Sequence, residues 1–387
     1  MRVLVLSLCL LVSHVVKAND PIVALPFEIH LGHVYIKGQV NDGRPINVVF
    51  DTGAAANLAS EAVAEEIGLT VSGEQTVLGA SGPVTIKRST NNDLMLGDDL
   101  KLKNQTFLVM NLDHLGDEDY PLDAVIGANV LNRYTVEMDF EKGLINLFTR
   151  NNFPAPEGYE AHKISLVPFN VPKIDASLLL EDGEVITGPY LVDTGAALAL
   201  RINSPTVREK ELVDKVTPNY KYTSKALGNE ATDYIGRLKT YEVLGQKFDA
   251  VPMRMATVRN GVSGRSDING ILGLEILKRF NTIYDYKKQV MYIKRNSLFD
   301  QPYRENKSGL KFKKEDGALT VVNVIATSSG EKAGIKLGDI IVSVDGQKGM
   351  THDECVAYLS NAKGTVKLKI MRNGKAIDIS LKPASLI

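Results

Sequence analysis

Short hydrophobic segments separated by turn-forming residues run from residue 22 to residue 295. β-branched and aromatic runs, such as VTI at 84–86 and FLV at 107–109, are interrupted by Gly, Asn and Asp at intervals typical of hairpins. Segments of helical period are short, as at residues 61–67. The pattern therefore predicts a mainly β protein in which single helical turns follow some strands.

An internal repeat divides this region into two halves. The segment VVFDTGAA at residues 48–55 aligns with YLVDTGAA at residues 190–197, which lies 142 positions later. The segment AVIGANVL at residues 124–131 aligns with GILGLEIL at residues 270–277, which lies 146 positions later. Matched blocks in the same order indicate two copies of one structural unit.

Changes in composition mark the boundaries between units. Residues 150–158 contain two asparagines, two prolines and a glycine, and this composition predicts a linker. We therefore predict a first lobe over residues 19–152 and a second lobe over residues 153–298. The pattern changes after the repeats, where residues 296–308 are polar. A third, compact unit is predicted over residues 305–387.

The first eighteen residues are typical of a secretory signal peptide. Arg2 precedes an apolar run over residues 3–16, and Ala18 provides a small side chain at the usual cleavage position. A membrane anchor is the alternative, but this run of about fourteen residues is short against the roughly twenty that a spanning helix needs. We expect cleavage after Ala18, a secreted or periplasmic protein, and no integral membrane span in the mature chain.

Charge and cysteine content narrow the class of protein further. The 387 residues carry a net charge of −1, and loss of Arg2 and Lys17 with the signal peptide changes it to −3, which does not suggest a nucleic-acid partner. Cys9 would leave with the signal peptide, so Cys355 has no partner for an internal disulfide. No H-E-x-x-H or G-x-S-x-G motif occurs. No metal site and no cofactor are expected.

The repeated D-T-G tripeptide supplies one candidate catalytic carboxylate in each half, Asp51 and Asp193. Two carboxylates that share one proton can hydrolyse a peptide bond, because one accepts a proton from water while the other donates one to the carbonyl oxygen. Such a pair titrates as a unit, with one apparent pKa low and the other raised. The sequence leaves open which of the two aspartates holds the proton.

These motifs resemble the retropepsin and pepsin superfamily of aspartic peptidases. The alanine that follows each D-T-G makes the retropepsin-like form the closest. The resemblance implies two lobes, each a double-ψ β-barrel, with the two aspartates in the cleft between them. It also implies an apolar-apolar-glycine step against each active-site loop, and the two glycines follow their aspartates by 76 and 80 residues. The implied supporting residues are Thr52, Gly53, Thr194, Gly195, Gly127 and Gly273.

Members of this superfamily cover the substrate with a β-hairpin flap. The candidate tip in the first half is formed by Gly79, Ala80, Ser81 and Gly82, whose glycines suit a mobile turn. An ordinary exposed hairpin is the alternative interpretation. No tyrosine lies between residues 70 and 84, and this departure from pepsin-like enzymes favours a retropepsin-like flap.

The C-terminal unit resembles a PDZ domain, and the resemblance implies an α+β fold. The family's carboxylate-binding loop would be formed by Gly309, Leu310, Lys311 and Phe312, with lysine at a position where glycine is usual. Such domains bind peptide C-termini by strand addition beside a helix. On that helix, the implied groove residues are His352 and Val356. A solvated histidine at a helix start is the alternative for His352.

The sequence as a whole predicts an exported aspartic endopeptidase that acts on polypeptide substrates and carries a PDZ domain for peptide C-termini. The competing class is a non-catalytic peptide-binding or adaptor protein that retains the same fold. Two D-T-G copies in one chain make a monomer sufficient for catalysis. A homodimer remains an alternative.

Overall fold

A computed structural model of the chain describes residues 20–79, 82–151, 153–166, 170–225 and 230–387. The described residues are mainly in β-strands, as predicted. The predicted signal peptide, residues 1–18, lies outside them. In the described part of the chain, no helix combines the length and the apolar character needed to cross a membrane.

The first half forms one long series of strands with only short helices. Most strands alternate buried and exposed side chains, as a sheet with one face on a core requires. The elements in its described residues are β1 (Val23–Pro26), β2 (Glu28–His30), β3 (His33–Val40), β4 (Pro45–Phe50), β5 (Asn57–Ser60), a 3₁₀ helix (Glu61–Val63), β6 (Ser72–Leu78), β7 (Pro83–Leu96), β8 (Leu100–Met110), β9 (Ala124–Ile126), α1 (Ala128–Leu131), β10 (Tyr134–Asp139) and β11 (Leu144–Thr149).

The first lobe is a closed β-barrel. Its strands follow the order β3-β4-β9-β5-β8-β7, and β7 pairs back onto β3 with Gly38 opposite Leu96. Strands β4 and β9 run parallel at its centre, with Phe50 opposite Ile126. Because parallel strands end at the same edge, the residues that follow β4 and β9 meet there. The hairpin of β6 and β7 extends beyond the barrel.

The second half repeats this architecture. Strands β17 and β18 have the same lengths as β7 and β8, at 14 and 11 residues. The elements in its described residues are β12 (Glu160–Lys163), β13 (Lys173–Leu179), β14 (Val185–Val192), β15 (Leu200–Ile202), α2 (Ser204–Glu209), α3 (Leu212–Lys215), β16 (Asn219–Lys225), β17 (Glu230–Val243), β18 (Gln246–Ala256), a 3₁₀ helix (Val262–Gly264), β19 (Gly270–Leu272), α4 (Leu274–Leu277), β20 (Phe280–Asp285) and β21 (Val290–Arg295).

The second lobe closes in the same way. Its strands follow the order β13-β14-β19-β15-β18-β17, and β17 pairs back onto β13. Strands β14 and β19 are the parallel central pair, with Val192 opposite Leu272. The prediction of two β-barrel lobes is therefore confirmed.

A sheet shared by both halves joins the two barrels. It has the order β1-β11-β10-β20-β21-β12, and β10 pairs directly with β20, with Val136 opposite Tyr284. Across this join Asn281 donates its side-chain amide to Asp139 at 2.9 Å. One hydrophobic core runs through both barrels and the shared sheet. The relative position of the lobes is therefore fixed by backbone hydrogen bonds and by a common core.

The C-terminal unit is a separate α+β domain with its own core, as predicted. Its sheet follows the chain order from β22 to β26, so β22 is an edge strand. Helix α6 begins with a capping box between Thr351 and Glu354. Cys355 is fully buried in this core, and burial raises the pKa of its thiol to about 12, so the thiol is unreactive. The elements are β22 (Leu310–Glu315), β23 (Ala318–Val324), α5 (Ser329–Lys332), β24 (Ile340–Val344), α6 (His352–Asn361), β25 (Val366–Arg372) and β26 (Lys375–Leu381).

The polar segment before this domain is bound to the second lobe. The Arg279 guanidinium donates to the carbonyls of Leu298, Phe299 and Gln301 at 3.2, 2.7 and 2.6 Å. The Phe299 ring packs against aromatic rings of the second lobe. The polar sequence indicated a change of pattern at this segment. The contacts show that residues 298–301 are bound to the second lobe.

Candidate active site

The two D-T-G aspartates follow the central strands of the two barrels. Asp51 comes directly after β4, and its N–H donates to the carbonyl of Ile126 at 2.8 Å. Asp193 comes directly after β14, and its N–H donates to Leu272 at 3.0 Å. Each aspartate is thus held at a strand end by the strand that carries the apolar-apolar-glycine step.

The two D-T-G loops are interlocked by their threonines, which are both fully buried. The Thr52 hydroxyl donates to the Val192 carbonyl at 2.8 Å and accepts the N–H of Thr194 at 3.0 Å. The Thr194 hydroxyl donates to the Phe50 carbonyl at 3.1 Å and accepts the N–H of Thr52 at 3.0 Å. Four reciprocal hydrogen bonds therefore fix one D-T-G loop against the other.

Glycine at the third position lets the opposite carboxylate approach. A Cβ atom on Gly53 would lie 2.6 Å from Cγ of Asp193, and one on Gly195 would lie 2.3 Å from Cγ of Asp51. Both distances are far inside van der Waals contact, so no larger residue fits without moving a carboxylate. Each glycine also donates its N–H to the aspartate of its own loop, at 2.7 Å for Gly53 and 2.9 Å for Gly195.

The later glycines support the loops from behind. A Cβ atom on Gly127 would lie 2.0 Å from the Asp51 carbonyl oxygen, and one on Gly273 would lie 2.2 Å from the Leu198 carbonyl oxygen. The N–H of Ala128 donates to the Ala54 carbonyl at 2.9 Å. The structure thus brings together all eight residues that the sequence assigned to the dyad and its support.

The two carboxyl groups share a proton. Burial raises the pKa of Asp193 well above its usual range, and the charge of Asp51 and the hydrogen bond between the two side chains raise it further. Burial also raises the pKa of Asp51, but hydrogen bonds from Asp193 and from the N–H groups of Gly53 and Gly195 oppose that shift. Both carboxyl groups therefore hold a proton more readily than an isolated aspartate does, and the pair shares one proton in the hydrogen bond between the two side chains.

Two apolar clusters flank the dyad in equivalent positions. The first-lobe cluster includes Ala54, Val49 and Val125, and flap-hairpin residues pack against it. The second-lobe cluster includes Leu191 and Ile271, with Ala196 packed against it. Ala54 and Ala196 directly follow the two D-T-G tripeptides. Each D-T-G loop thus lies against a packed apolar cluster.

The predicted flap is a β-hairpin. Strands β6 and β7 pair up to Leu78 opposite Pro83, and the N–H of Gly79 donates to the Gly82 carbonyl at 2.7 Å. Val77 and Val84, near the turn, pack against the first-lobe apolar cluster. The predicted tip residues Ala80 and Ser81 lie outside the described residues, as do residues 226–229 of the equivalent hairpin.

Sequence reasoning missed His33, which lies beside the second catalytic loop. Its ring hydrogen-bonds the backbone carbonyl of Gly195, and the neighbouring Gly32 packs against Ala197. Burial lowers the pKa of His33 to about 4, although the bond to Gly195 partly opposes the shift. The ring is therefore a neutral hydrogen-bond donor over most of the acidic range. A single histidine in a strand carries no motif that would have predicted this contact.

The predicted PDZ groove lies between the edge strand β22 and helix α6. Gly309 adopts φ of 72°, and the side chains of Leu310 and Phe312 are buried beneath the groove. The Leu310 N–H donates to the Ser308 hydroxyl at 3.2 Å. His352 Nδ1 lies 2.9 Å from the Asp353 carboxylate. Lys311 and Val356 are half-buried.

Comparisons with known families agree with this arrangement. Residues 36–130 match the family model for aspartyl proteases, and residues 308–382 match that for PDZ domains. The first match includes the first D-T-G and Gly127. The chain therefore carries an aspartyl protease domain and a PDZ domain.

Individual proteins match smaller parts of the chain. The carboxy-terminal processing protease CtpA of Bacillus subtilis is 30% identical over 142 residues, which make up 35% of this chain and 30% of that protein. The serine protease HTRA1 of Xenopus laevis is 32% identical over 101 residues, which make up 26% of this chain and 22% of that protein. The chain thus spans less than a third of either relative.

A solved structure of an aspartic proteinase from Irpex lacteus is also similar. It is 14% identical, with a TM-score of 0.46, and the match covers 72% of this chain and 98% of the solved chain.

Proposed function

We propose that this chain is an aspartic endopeptidase that hydrolyses polypeptides with the Asp51 and Asp193 carboxylates. One observation carries the proposal: the interlocked Thr52 and Thr194 hold two D-T-G loops so close that the carboxylates share a hydrogen bond. A structural role alone does not account for two carboxylates forced together, because their repulsion destabilises the fold when both ionise. The alternative of a non-catalytic binding protein lacks a comparable observation in its favour.

The proposed reaction follows from the shared proton. The protonated carboxyl of the pair gives its proton to the oxygen of the scissile carbonyl, while the ionised carboxylate accepts a proton from the attacking water. The water oxygen bonds to the carbonyl carbon and forms a tetrahedral diol. The diol collapses when the C–N bond breaks: the leaving nitrogen takes the proton that the pair holds, and one diol hydroxyl gives its proton back to the pair as it becomes the carbonyl of the new carboxyl group. The pair thereby returns to its starting protonation.

Substrate side chains would contact the two apolar clusters beside the dyad. Hydrophobic residues on both sides of the scissile bond therefore suit the site better than charged ones, since a charge placed there would lose its hydration. The hairpin of β6 and β7 would cover the bound strand. His33 would act as a positioning residue that holds the Gly195 carbonyl.

The remaining parts of the proposal concern location and partners. A signal peptide with cleavage after Ala18 would export the chain to the periplasm or the cell exterior. The PDZ groove would bind peptide C-termini, as the family does through strand addition. A single chain would suffice for catalysis because it supplies both aspartates. Amino-terminal sequencing of the protein recovered from the periplasm or medium tests the cleavage site.

Cleavage of unfolded casein by the mature chain between pH 3 and pH 8 tests the catalytic proposal. Wild type is compared with Asp51→Asn and Asp193→Asn, and the exposed Asp98→Asn serves as the matched control. We expect a bell-shaped acidic profile for wild type and the control, because activity requires one ionised and one protonated carboxylate. Either dyad substitution should lower the rate at least about 10³-fold.

The opposite results are equally clear. Undiminished cleavage by both dyad variants would place the chemistry elsewhere in the chain. Activity that rises steadily to pH 9 would exclude a shared proton. Absence of any cleavage by wild type would favour the binding-protein alternative.

A further inference from the structure

The PDZ domain is docked on the first lobe through the same strand that binds peptides in its family. The N–H of Glu118 donates to the backbone carbonyl of Lys314 in β22 at 3.3 Å. The Lys314 ammonium contacts the Asp119 carboxylate at 2.5 Å, and the Glu118 carboxylate accepts the N–H of Gly317 at 2.6 Å. These bonds join segments nearly 200 positions apart in the chain.

The geometry of β22 shows which of its two edges is involved. Asp316 and Gly317 both have positive φ and form the two-residue turn between β22 and β23. Glu315 is opposite Ala318 across this turn, and that pair is hydrogen-bonded in such hairpins. Hydrogen-bonded pairs alternate along antiparallel strands, so the backbone groups of Lys314 and Phe312 point to the free edge. The first lobe therefore occupies the free edge at Lys314.

The lobe segment is preorganised to make this contact. The Asp117 carboxylate accepts the N–H groups of Asp119 and Tyr120 at 3.1 and 3.0 Å. This turn leaves the Glu118 N–H directed outward to Lys314. The Tyr120 ring stacks on His30, with centroids 3.2 Å apart, so residues 30–31 and 117–120 form one surface.

The other wall of the groove touches the same surface. Asp353, at the start of α6, lies 3.4 Å from His30 and accepts the backbone N–H of Leu31. Burial alone would raise the pKa of Asp353, but its bonds with His352 and Leu31 and the nearby His30 lower it. Asp353 is thus ionised when docked. Both walls of the groove meet the first lobe at the end remote from the carboxylate-binding loop.

A bound peptide needs the position that the lobe occupies. Its terminal carboxylate would lie at residues 309–312, its last residue would pair with Phe312, and the residue two places earlier would pair with Lys314. In the docked arrangement the Lys314 carbonyl already accepts the N–H of Glu118. Only about the last two residues of a ligand fit while the domain is docked.

We propose that the acidic segment 117–119 of the first lobe is an internal ligand of the PDZ groove, and that peptide C-termini bind in competition with it. The proposal rests on the peptide-binding role suggested above. Because the internal ligand is acidic and β22 carries Lys311, Lys313 and Lys314, the favoured partner is a C-terminus with an apolar last residue and acidic residues before it. Binding of that partner releases the PDZ domain from the first lobe.

A binding experiment on the full mature chain tests this competition. All proteins carry Asp51→Asn, which prevents cleavage of the probe, an acetylated, fluorescein-labelled hexapeptide ending in Glu-Asp-Ala-Ile with a free carboxylate. The test protein also carries Glu118→Gln and Asp119→Asn, which weaken docking and leave the groove unchanged. The matched control carries Glu65→Gln, an exposed charge on the same lobe. We expect about fivefold tighter binding by the test protein, because more of it is undocked.

Carbodiimide cross-linking of the Lys314 amine to the Asp119 carboxylate gives a readout that is independent of the variants. Mass spectrometry should detect this cross-link in the control protein, and excess probe should reduce it at least about fivefold. The C-terminally amidated probe should leave it unchanged, since the carboxylate-binding loop then has no ligand.

The results of these experiments distinguish the competition from the peptide-binding role of the PDZ groove. Equal probe affinity in the test and control proteins, together with a cross-link that persists with probe bound, would overturn the competition and leave the peptide-binding role intact. If neither the control nor the test protein binds the probe, the competition and the peptide-binding role of the groove are both overturned.

Discussion

Thr52 and Thr194 each accept the other's backbone N–H at 3.0 Å, although they belong to different barrels. Each hydroxyl also donates to the carbonyl of the residue that precedes the opposite aspartate. The spacing of the carboxylates is therefore set by hydrogen bonds between the two threonine hydroxyls and the main chain of the opposite loop. The rate of cleavage and the free energy of unfolding should both depend on Thr52 and Thr194.

Thr52→Val should lower the free energy of unfolding by about 2 kcal/mol. Valine has nearly the same shape, but it leaves the Thr194 N–H and the Val192 carbonyl buried without a partner. Urea unfolding followed by circular dichroism measures the change. Thr187→Val is the control, because that hydroxyl bonds Ser177 at an exposed position and its loss should cost less than about 0.5 kcal/mol. Equal losses would argue against the interlock.

Gly195→Ala should lower kcat/KM at least about 100-fold without unfolding the protein. The added methyl group would lie 2.3 Å from Cγ of Asp51 and must displace that carboxylate. Gly364→Ala provides the control, since no atom lies within 4 Å of the added carbon there. Casein cleavage near the acidic optimum measures both variants. A Gly195→Ala enzyme with near wild-type rates would contradict the close approach of the two loops.

Asp193→Asn should stabilise the fold at neutral pH. The pKa of Asp193 is higher in the folded than in the unfolded chain, so the folded state binds more protons between the two values. Stability therefore decreases as pH rises through that window, and asparagine, which does not ionise, avoids the loss. We expect a melting temperature about 2–4 °C above wild type at pH 7.

The same comparison at pH 3.5 is the internal control for this effect. That pH lies below the ordinary aspartate pKa of 3.8, so most of the wild-type carboxyl is protonated in both states and the advantage of asparagine should be largely lost. An advantage that persists unchanged at pH 3.5 would point to a cause other than ionisation.

Asp233→Ala should cost about 3–5 kcal/mol of stability, because it leaves Arg201 charged and buried. Arg201 donates to Asp233 at 2.9 Å, and their side chains are only 8% and 2% exposed. Replacing both partners with Arg201→Met and Asp233→Leu should cost much less. Glu61→Ala breaks the exposed pair with Lys87 and should cost under about 1 kcal/mol. Urea unfolding of the four proteins decides whether burial controls the size of the loss.

Much of the fold could be predicted because both repeats carry the same local signals. The D-T-G strand ends and the later glycines each appear twice, so one copy supports the interpretation of the other. The hairpin ending at Gly79 and Gly82 was also predictable, because turns of this kind require particular residues. Register, barrel closure and the shared sheet depend on pairings between distant strands, and no short segment encodes them.

Contacts between units could not be predicted for a related reason. His33 meets Gly195, and Glu118 meets Lys314, although 162 and 196 positions separate them in the chain. A lone histidine and an acidic turn have the same local sequence whether they are solvated or docked. Residues 296–308 are a further example: their polarity indicated only a change of pattern, whereas the buried Arg279 binds the carbonyls of Phe299 and Gln301 to the second lobe.

The direct pairing of β10 with β20 determines how a substrate can enter. Opening the cleft by rotating one barrel away from the other would break the shared sheet and its core, so access depends on the hairpins alone. A compact globule is too wide to pass beneath a hairpin, whereas an extended chain passes easily. We therefore expect the folding state of a substrate to limit its cleavage more than its sequence does. A reduced, unfolded protein should be cut far faster than its native form. Equal rates on both would mean that the barrels do separate.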